Sequence, residues 1–478
     1  MNGLNQKIVS GVSWSAVETI SFTLVKFVIG IVLARLLMPS DFGTLGILLI
    51  FVSISEILVD AGFGQAYIHK RTVSPTDADT VFIINFAISL VIYAILFFSA
   101  PLLAGFYELP ELTWLIRAIS IVIVINSLNV IQNAIVRRKF LFRKRAVLNF
   151  LAAAISGIIG IACAYSGLGV WSLVIQHVMQ KSLFCLMLYA SLRWHFTFSF
   201  SWAVVKEMMG YGTWILLSNI VAILFQNTYK FSIGKIFPVS ELGYYERARQ
   251  FNSLVSDTFT GMIGRVAFPS FSKVQDDTVQ LKRMTCQFVK YTAMLVMPLV
   301  AILNVISEPL ILFLLTEKWL QAAQYLRLMC FAGFLFPFYF FVSPLLQATT
   351  NMKFDFWTTT LLGVLRVINV VCLYRLGIPA IILGEAVCLI LFVVISSYVA
   401  RKSLGFHYLW ALVAVWKIIF FIVIVIAVGY LVSAVIIDMN LLLRILLPSV
   451  LMYAVYLSLI MLFERNDIVK VYRKFTHK

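Results

Sequence analysis

The chain has 478 residues, 62% of them hydrophobic and only 12% charged, with a mean hydropathy of +0.97. A soluble domain carries about 25% charged and about 45–50% apolar residues. Its surface is already roughly 55–60% apolar, so no soluble fold of this length hides the excess. The net charge is +17, but most basic residues stand in short stretches between apolar runs. That placement reads as membrane topology and attraction to anionic lipid, and it excludes nucleic acid as the partner.

A helix needs about 20 residues to cross the hydrocarbon. Windows of that size predict fourteen spans, near 8–36, 42–68, 80–106, 112–136, 146–166, 170–192, 208–236, 242–268, 284–307, 320–349, 354–375, 378–400, 409–436 and 441–463. The first is interrupted by Glu18 and Lys26 and is too long for the apolar part of a cleavable signal. The eighth is unusually polar, with Glu246, Arg247, Arg249, Gln250, Asn252, Asp257 and Thr260. A helix lying on the membrane surface is one reading of it, and a span lining a wet cavity is the other.

Charge in the connections decides between them. Arg137, Arg138, Lys139, Arg143, Lys144 and Arg145 crowd residues 137–145, and smaller basic groups fall near 69–79, 273–283 and 401–408 and in the tail. The connections between these are poor in Lys and Arg; 106–112 holds only Glu108 and Glu111. Basic connections stay cytoplasmic, which puts both termini inside, requires an even number of spans, and keeps the eighth.

Two stretches match at an offset of 200. Ser13-Trp14 faces Thr213-Trp214, Arg35 faces Lys235, Ser40-Asp41-Phe42-Gly43 faces Ser240-Glu241-Leu242-Gly243, and Gly64 faces Gly264. Six spans return the chain to the side where it started, so the copies share one orientation, as in parallel-repeat transporters whose halves enclose a central path. The expected architecture is an all-α integral membrane protein. It has two parallel six-helix lobes (1–200 and 201–404), an appended two-helix pair (405–464) and a basic cytoplasmic tail (465–478).

A charge at the bilayer centre costs about 2.5–3.5 kcal/mol on insertion scales, so ionisable residues inside apolar runs mark function or snorkel from helix ends. Arg117, Arg265, Arg327 and Lys290 lie near ends, and Lys417 reads as a headgroup contact. His177 reads as a packing residue. Lys26, Lys181, Lys230, Arg247 and Arg249 are the candidates for binding an anionic cargo, since phosphate attracts both Lys and Arg. Glu18, Asp60, Asp257 and Glu385 are the candidates for ion or proton coupling. Glu56 and Asp60, four apart on one helix face, are placed to share a proton.

Enzyme chemistry is not expected. There is no G-x-S-x-G, Walker A, H-E-x-x-H or G-x-G-x-x-G pattern, and Asp276-Asp277 reads as a solvated turn. The six cysteines, Cys163, Cys185, Cys286, Cys330, Cys372 and Cys388, fall in apolar runs without a C-x-x-C pair, which argues for small buried hydrophobes and against a disulfide framework or metal site. No catalytic residue, metal or cofactor is expected.

Several stretches together resemble one family. Gly11-Val-Ser-Trp-Ser15, Leu33-Ala-Arg-Leu-Leu37, Phe42-Gly43 and Asp60-Ala-Gly-Phe-Gly64 are similar to the opening of bacterial polysaccharide flippases. Arg265 through Asp277 and Thr316-Glu-Lys-Trp319 extend the match. The subgroup resembled is the colanic-acid and teichuronic-acid exporter type of the multidrug/oligosaccharidyl-lipid/polysaccharide superfamily. The resemblance implies a twelve-to-fourteen-helix flippase with two six-helix lobes in the bacterial inner membrane. It implies an undecaprenyl-pyrophosphate-linked oligosaccharide as cargo, moved from the cytoplasmic to the periplasmic leaflet, with membrane lipids and other polysaccharide assembly proteins as partners. With no ATP motif, an ion gradient supplies the energy. The rivals are a cation-coupled small-molecule (multidrug) exporter of the same superfamily, which favours an acidic, aromatic pocket, and a membrane polymerase or ligase of lipid-linked sugars, which favours a long periplasmic loop.

Overall fold

The computed structural model describes residues 2–60, 62–70, 72–192, 196–349, 352–404 and 407–464, and among them every regular element is helical. One compact unit ends at Glu246 and the other begins at Arg247. The first holds α1 (Asn2–Leu36), α2 (Pro39–Asp60), α3 (Phe63–His69), α4 (Pro75–Tyr107), α5 (Leu112–Ile119), α6 (Ile121–Arg138), α7 (Phe142–Tyr165), α8 (Val170–Leu192), α9 (Trp202–Gln226), α10 (Thr228–Ile236) and the start of α11 (Val239–Lys273). The second holds the rest of α11, then α12 (Thr278–Leu314), α13 (Leu320–Phe334), α14 (Phe336–Tyr339), α15 (Val342–Thr349), α16 (Met352–Leu373), α17 (Ile378–Leu404), α18 (Trp410–Val435) and α19 (Leu441–Phe463).

Among the described residues, ten helical runs are long and apolar enough to cross a membrane. They become eleven when Glu317–Phe334 and Phe336–Ala348, bent by 43°, count as one span. Helices stand at all fourteen expected positions, and α1, α9 and α11, of 35, 25 and 35 residues, are the three outside that count. In the spanning helices large apolar side chains face outward: Phe98 and Leu102 of α4 are both 76% exposed. Lipid is the solvent that such a surface requires.

The helix ends are chemically specified. Ser74 and Asp77 form a reciprocal capping box at α4: Asp77 N donates to Ser74 Oγ at 3.2 Å and Ser74 N to Asp77 Oδ2 at 2.8 Å. Asp277 caps α12, its Oδ1 accepting from Val279 N at 3.0 Å and Gln280 N at 2.9 Å. The solvated turn expected at Asp276-Asp277 is present: both residues are exposed and Asp277 N donates to the Val274 carbonyl at 3.1 Å. The turn leads straight into α12, where the Asp277 carboxylate satisfies orphan backbone donors. Residues 137–145 are not the loop that their charge suggested. α6 runs to Arg138 and α7 begins at Phe142, so five of the six basic residues are helical. Cations at the C-terminal end of α6 oppose the partial negative charge there.

Arg138 ties α6 to the end of α3, donating from Nη1 to the carbonyls of Tyr67 at 2.9 Å and Ile68 at 3.2 Å. Lys70, just beyond α3, bridges Glu207 at 2.8 Å and Asp77 at 3.0 Å. The Glu207 hydrogen bond leads in holding its ammonium pKa above the ordinary lysine value. Between α8 and α9 the chain is pinned to α4 by buried Asp79. Its Oδ2 accepts from Thr197 N at 2.9 Å and Ser199 N at 3.3 Å and from both hydroxyls. These contacts set α3, α4, α6 and α9 around a core of Phe63, Tyr67, Val81, Ile131 and Val205.

The residues that the 200-residue offset pairs also meet in space. A Cβ on Gly43 would stand 1.9 Å from the Val239 carbonyl oxygen, and one on Gly243 would stand 1.9 Å from that of Pro39. Gly43 corresponds to Gly243 and Pro39 to Val239, so the starts of α2 and α11 cross in reciprocal backbone contact. Only glycine permits that approach.

In the second unit, α18 and α19 pack on α12 through Val415, Ile418, Ile422 and Met452 against Ala293, Met297 and Val305. Tyr456 Oη donates to Met294 O at 2.7 Å, and Tyr430 Oη to Asn304 Oδ1 at 2.9 Å. Glu464, after α19, accepts Lys290 at 2.7 Å and Lys417 at 3.3 Å. Both lysines, read from sequence as snorkelling or headgroup contacts, are ion-paired instead.

Candidate functional site

The first unit contains a cavity of about 340 Å³ within its helices. Four elements furnish most of its polar wall. α2 contributes Glu56 and Asp60, one turn apart; α6 contributes Asn126, Asn129, Asn133 and Arg137; α7 contributes Arg145; α8 contributes Lys181. The α6 set recurs at spacings of three and four, which places all four side chains on one helix face. Gly64 of α3 lets that helix approach: a Cβ there would stand 2.6 Å from Asp60 Oδ1 and 3.2 Å from Val130 Cγ1. Gly64 N instead donates to Asp60 Oδ1 at 3.2 Å.

The wall's charges are largely neutralised in pairs. Lys181 Nζ lies 3.0 Å from Glu56 Oε1, and Asn126 Nδ2 donates to the same oxygen. Arg145 Nε lies 3.3 Å from Glu18 Oε1, which also accepts from Asn149 Nδ2 at 3.5 Å. Glu56 is therefore held by Lys181 and Asn126, and among the described residues no hydrogen bond joins it to Asp60. Among the described residues Arg137 and Asp60 form no salt bridge. The buried side-chain oxygens of Asn129 and Asn133 also lack a hydrogen-bond partner. A buried amide oxygen without a partner is costly, and here both belong to residues lining a cavity where water or a ligand hydroxyl can donate to them. The wall thus offers a cation and an anion that form no salt bridge, Arg137 and Asp60, which lie within electrostatic range of each other, together with two ion pairs and a row of amides. It is suited to a polar ligand that carries both hydroxyls and negative charge.

The sequence candidates distribute unevenly over this geometry. Lys181 and Asp60 line the cavity. Glu18 reaches it through Arg145. Lys26 of α1 is within electrostatic range of Lys181 and Glu56, with its Nζ 4.4 Å from the Phe22 ring centroid. His177, one turn before Lys181, has a buried Nε2 without a hydrogen-bond partner. Lys230 is not in the lining; its Nζ pairs with Glu246 Oε2 at 2.8 Å. Three candidates belong to the second unit. Arg247 is 7% exposed, 5.8 Å from the Trp319 ring centroid, and donates to Gln250. Arg249 is half-buried on α11. Glu385 grips Arg366 in a fork, with Nη2 at 2.7 Å and Nε at 3.1 Å from Oε1. Asp257 lies outside the described side chains. The sequence reading missed Asn126, Asn129, Asn133, Arg137 and Arg145. The signal was present in α6, as polar residues at helical spacing inside an apolar run.

The sequence profile of the polysaccharide biosynthesis protein family matches residues 32–324, more than half of the chain. The chain belongs to this family. Among its relatives is the teichuronic acid biosynthesis protein TuaB of Bacillus subtilis, 24% identical over 70% of this chain and 70% of its own length. The succinoglycan biosynthesis transport protein ExoT of Rhizobium meliloti is 26% identical over 74% of this chain and 72% of its own length. Among solved structures, the lipid II flippase MurJ in an inward closed conformation superposes with a TM-score of 0.79 at 17% identity, over 96% of this chain and all of that one. At that identity the likeness shows the fold alone, an all-helical multi-pass membrane arrangement.

Proposed function

We propose that this polysaccharide biosynthesis family protein is a flippase of lipid-linked oligosaccharides. It carries repeat units on undecaprenyl pyrophosphate from the cytoplasmic to the periplasmic leaflet of the bacterial inner membrane, with both of its own termini in the cytoplasm. The observation that carries the reading is a cavity lined by Lys181, Arg137, Arg145 and three asparagines inside helices whose outer surface is apolar. A pyrophosphate and the first sugars are the portion of such a cargo that lipid rejects, and charged and amide side chains replace the water they lose. The lipid tail has no need to leave the bilayer.

In this reading, two six-helix lobes with an appended pair alternate the access of the cargo, and an ion gradient drives the cycle at about 2.3 kcal/mol per elementary charge per 100 mV. Asp60, which forms no salt bridge in the cavity, is the first candidate for the coupling site, ahead of Glu18 and Glu385, each of which faces an arginine. The named activities of ExoT and MurJ, a transport protein and a flippase, support the class.

The test is reconstitution in liposomes with a fluorescent lipid-linked oligosaccharide, following its exchange between leaflets with and without a proton or sodium gradient. Protein-dependent exchange that Lys181→Ala and Arg137→Ala each reduce at least tenfold, with normal membrane insertion, supports the proposal. Absence of exchange for every lipid-linked glycan tried refutes it. Wild-type flux in both variants removes this cavity from the path.

A further inference from the structure

One cation of the cavity lining is already paired. Lys181 Nζ, from α8, lies 3.0 Å from Glu56 Oε1, and Asn126 Nδ2, from α6, donates to that same oxygen. The two charged side chains are 27% and 36% exposed, so solvent and ligand reach the pair. An ammonium and an amide N–H converging on one negatively charged oxygen is also the donor set that a phosphate oxygen takes. Glu56 therefore sits in an oxyanion seat as its resident anion.

We propose that Glu56 is a specificity-determining residue. As a built-in competitor for the Lys181–Asn126 seat, it admits ligands of the diphosphate class and excludes lone carboxylates and other monoanions. The inference rests on the reading that this cavity takes the anionic end of the cargo.

The selectivity follows from exchange. A monoanion that enters the seat trades one carboxylate-like contact at Lys181 for another, so the number of salt bridges does not rise. A diphosphate brings at least two separate anionic oxygens. One replaces Glu56 at Lys181, and the second has Arg137, which among the described residues forms no salt bridge and lines the same cavity. In both cases the displaced Glu56 carboxylate has Lys26 in electrostatic range. The exchange thus adds one salt bridge for a diphosphate and none for a monoanion.

The experiment is calorimetric titration of the full-length protein in detergent with inorganic pyrophosphate and, separately, with acetate. The comparison uses Glu56→Gln, Glu56→Asp, Lys181→Gln and Asp60→Asn. Wild type binds pyrophosphate and not acetate. Glu56→Gln binds pyrophosphate about twofold to fivefold tighter, the range set by removing one partly exposed ion-pair competitor, and it gains measurable acetate binding. Glu56→Asp, whose carboxylate retracts by one methylene, falls between them and keeps the proposal testable where the glutamine variant does not fold. Lys181→Gln loses at least tenfold. Asp60→Asn makes the same change in net charge without emptying the seat, and shifts affinity less than Glu56→Gln does. Equal tightening by Asp60→Asn means that the overall field acts and the seat does not, which overturns the proposal. Unchanged or weaker binding in Glu56→Gln overturns it while leaving the cargo reading intact, provided that wild type binds pyrophosphate. No pyrophosphate binding in wild type or any variant overturns both.

Discussion

Replacing Gly43 or Gly243 with alanine tests the crossing of α2 and α11 directly. Each new Cβ would stand 1.9 Å from a backbone carbonyl oxygen, whereas real Cβ contacts essentially never fall under 3.0 Å, so the helices must separate by about 1 Å. Neither carbonyl can turn aside as a flexible side chain would, because each belongs to a helix start. Overpacking of this kind costs typically about 1–3 kcal/mol, and backbone clashes belong at the upper end, about 2–3 kcal/mol for each single variant. The two clashes lie on one crossing, so a single separation relieves both. Gly43→Ala/Gly243→Ala should then cost about 3–4 kcal/mol and not the about 4–6 kcal/mol of independent sites, a coupling within the range seen for neighbours. The assay is the unfolding free energy in mixed detergent micelles, followed by far-ultraviolet circular dichroism. Gly105→Ala is the control: nothing lies within 4 Å of its would-be Cβ, and alanine's better helix propensity leaves it neutral or more stable by up to about 1 kcal/mol. Strict additivity of the pair, or single variants as benign as Gly105→Ala, refutes the shared crossing.

Three further outcomes follow from local geometry. Glu385→Gln removes the carboxylate from a fork whose partners are only 21% and 17% exposed, and should cost about 1–3 kcal/mol, less than for a fully buried pair because some water remains. Glu385→Leu with Arg366→Met should recover most of that loss in the same unfolding assay, and a double variant worse than the single contradicts the desolvation argument. Ser74→Ala deletes half of the capping box and should lower stability by about 1 kcal/mol, with leaflet exchange unaffected once the protein is folded. Asn129→Leu and Asn133→Leu fill the amide wall with apolar volume; each should reduce glycolipid exchange in liposomes more than it reduces stability, since both lose an amide oxygen that has no partner within the protein.

Membrane residence was legible because it is written in windows of about 20 residues, and helices stand wherever the windows fell. Helix limits were less legible. Arg137 and Arg138 read as loop by charge, yet a helix tolerates and even favours cations in its last turn. Lys181 and Asp60 stood out as charges within apolar runs and do line the cavity. Their relations did not stand out. Glu56 lies four residues from Asp60 but pairs with Lys181, 125 residues away, and no local spacing reveals a contact of that separation. Asn129 and Asn133 were overlooked for a different reason. Amides interrupt an apolar run less visibly than charges, although their buried oxygens also demand a partner.

The sequence distance between ion-pair partners has a consequence for how the chain enters the bilayer. Lys230 and Glu246 are 16 residues apart, and Arg366 and Glu385 are 19 apart, so each charge meets its counterion as soon as one helical hairpin is made. Glu56 and Glu18 must wait. Lys181 follows Glu56 by 125 residues, and Arg145 reaches Glu18 across a comparable length of chain. While synthesis proceeds, the Glu18 and Glu56 carboxylates lack the salt-bridge partners that they have in the folded chain, and a charge without its partner in lipid costs kilocalories. They gain their partners only when α7 and α8 arrive. The earliest helices are thus the last to settle, and a chain interrupted before α8 holds the cavity's acids without its lysine.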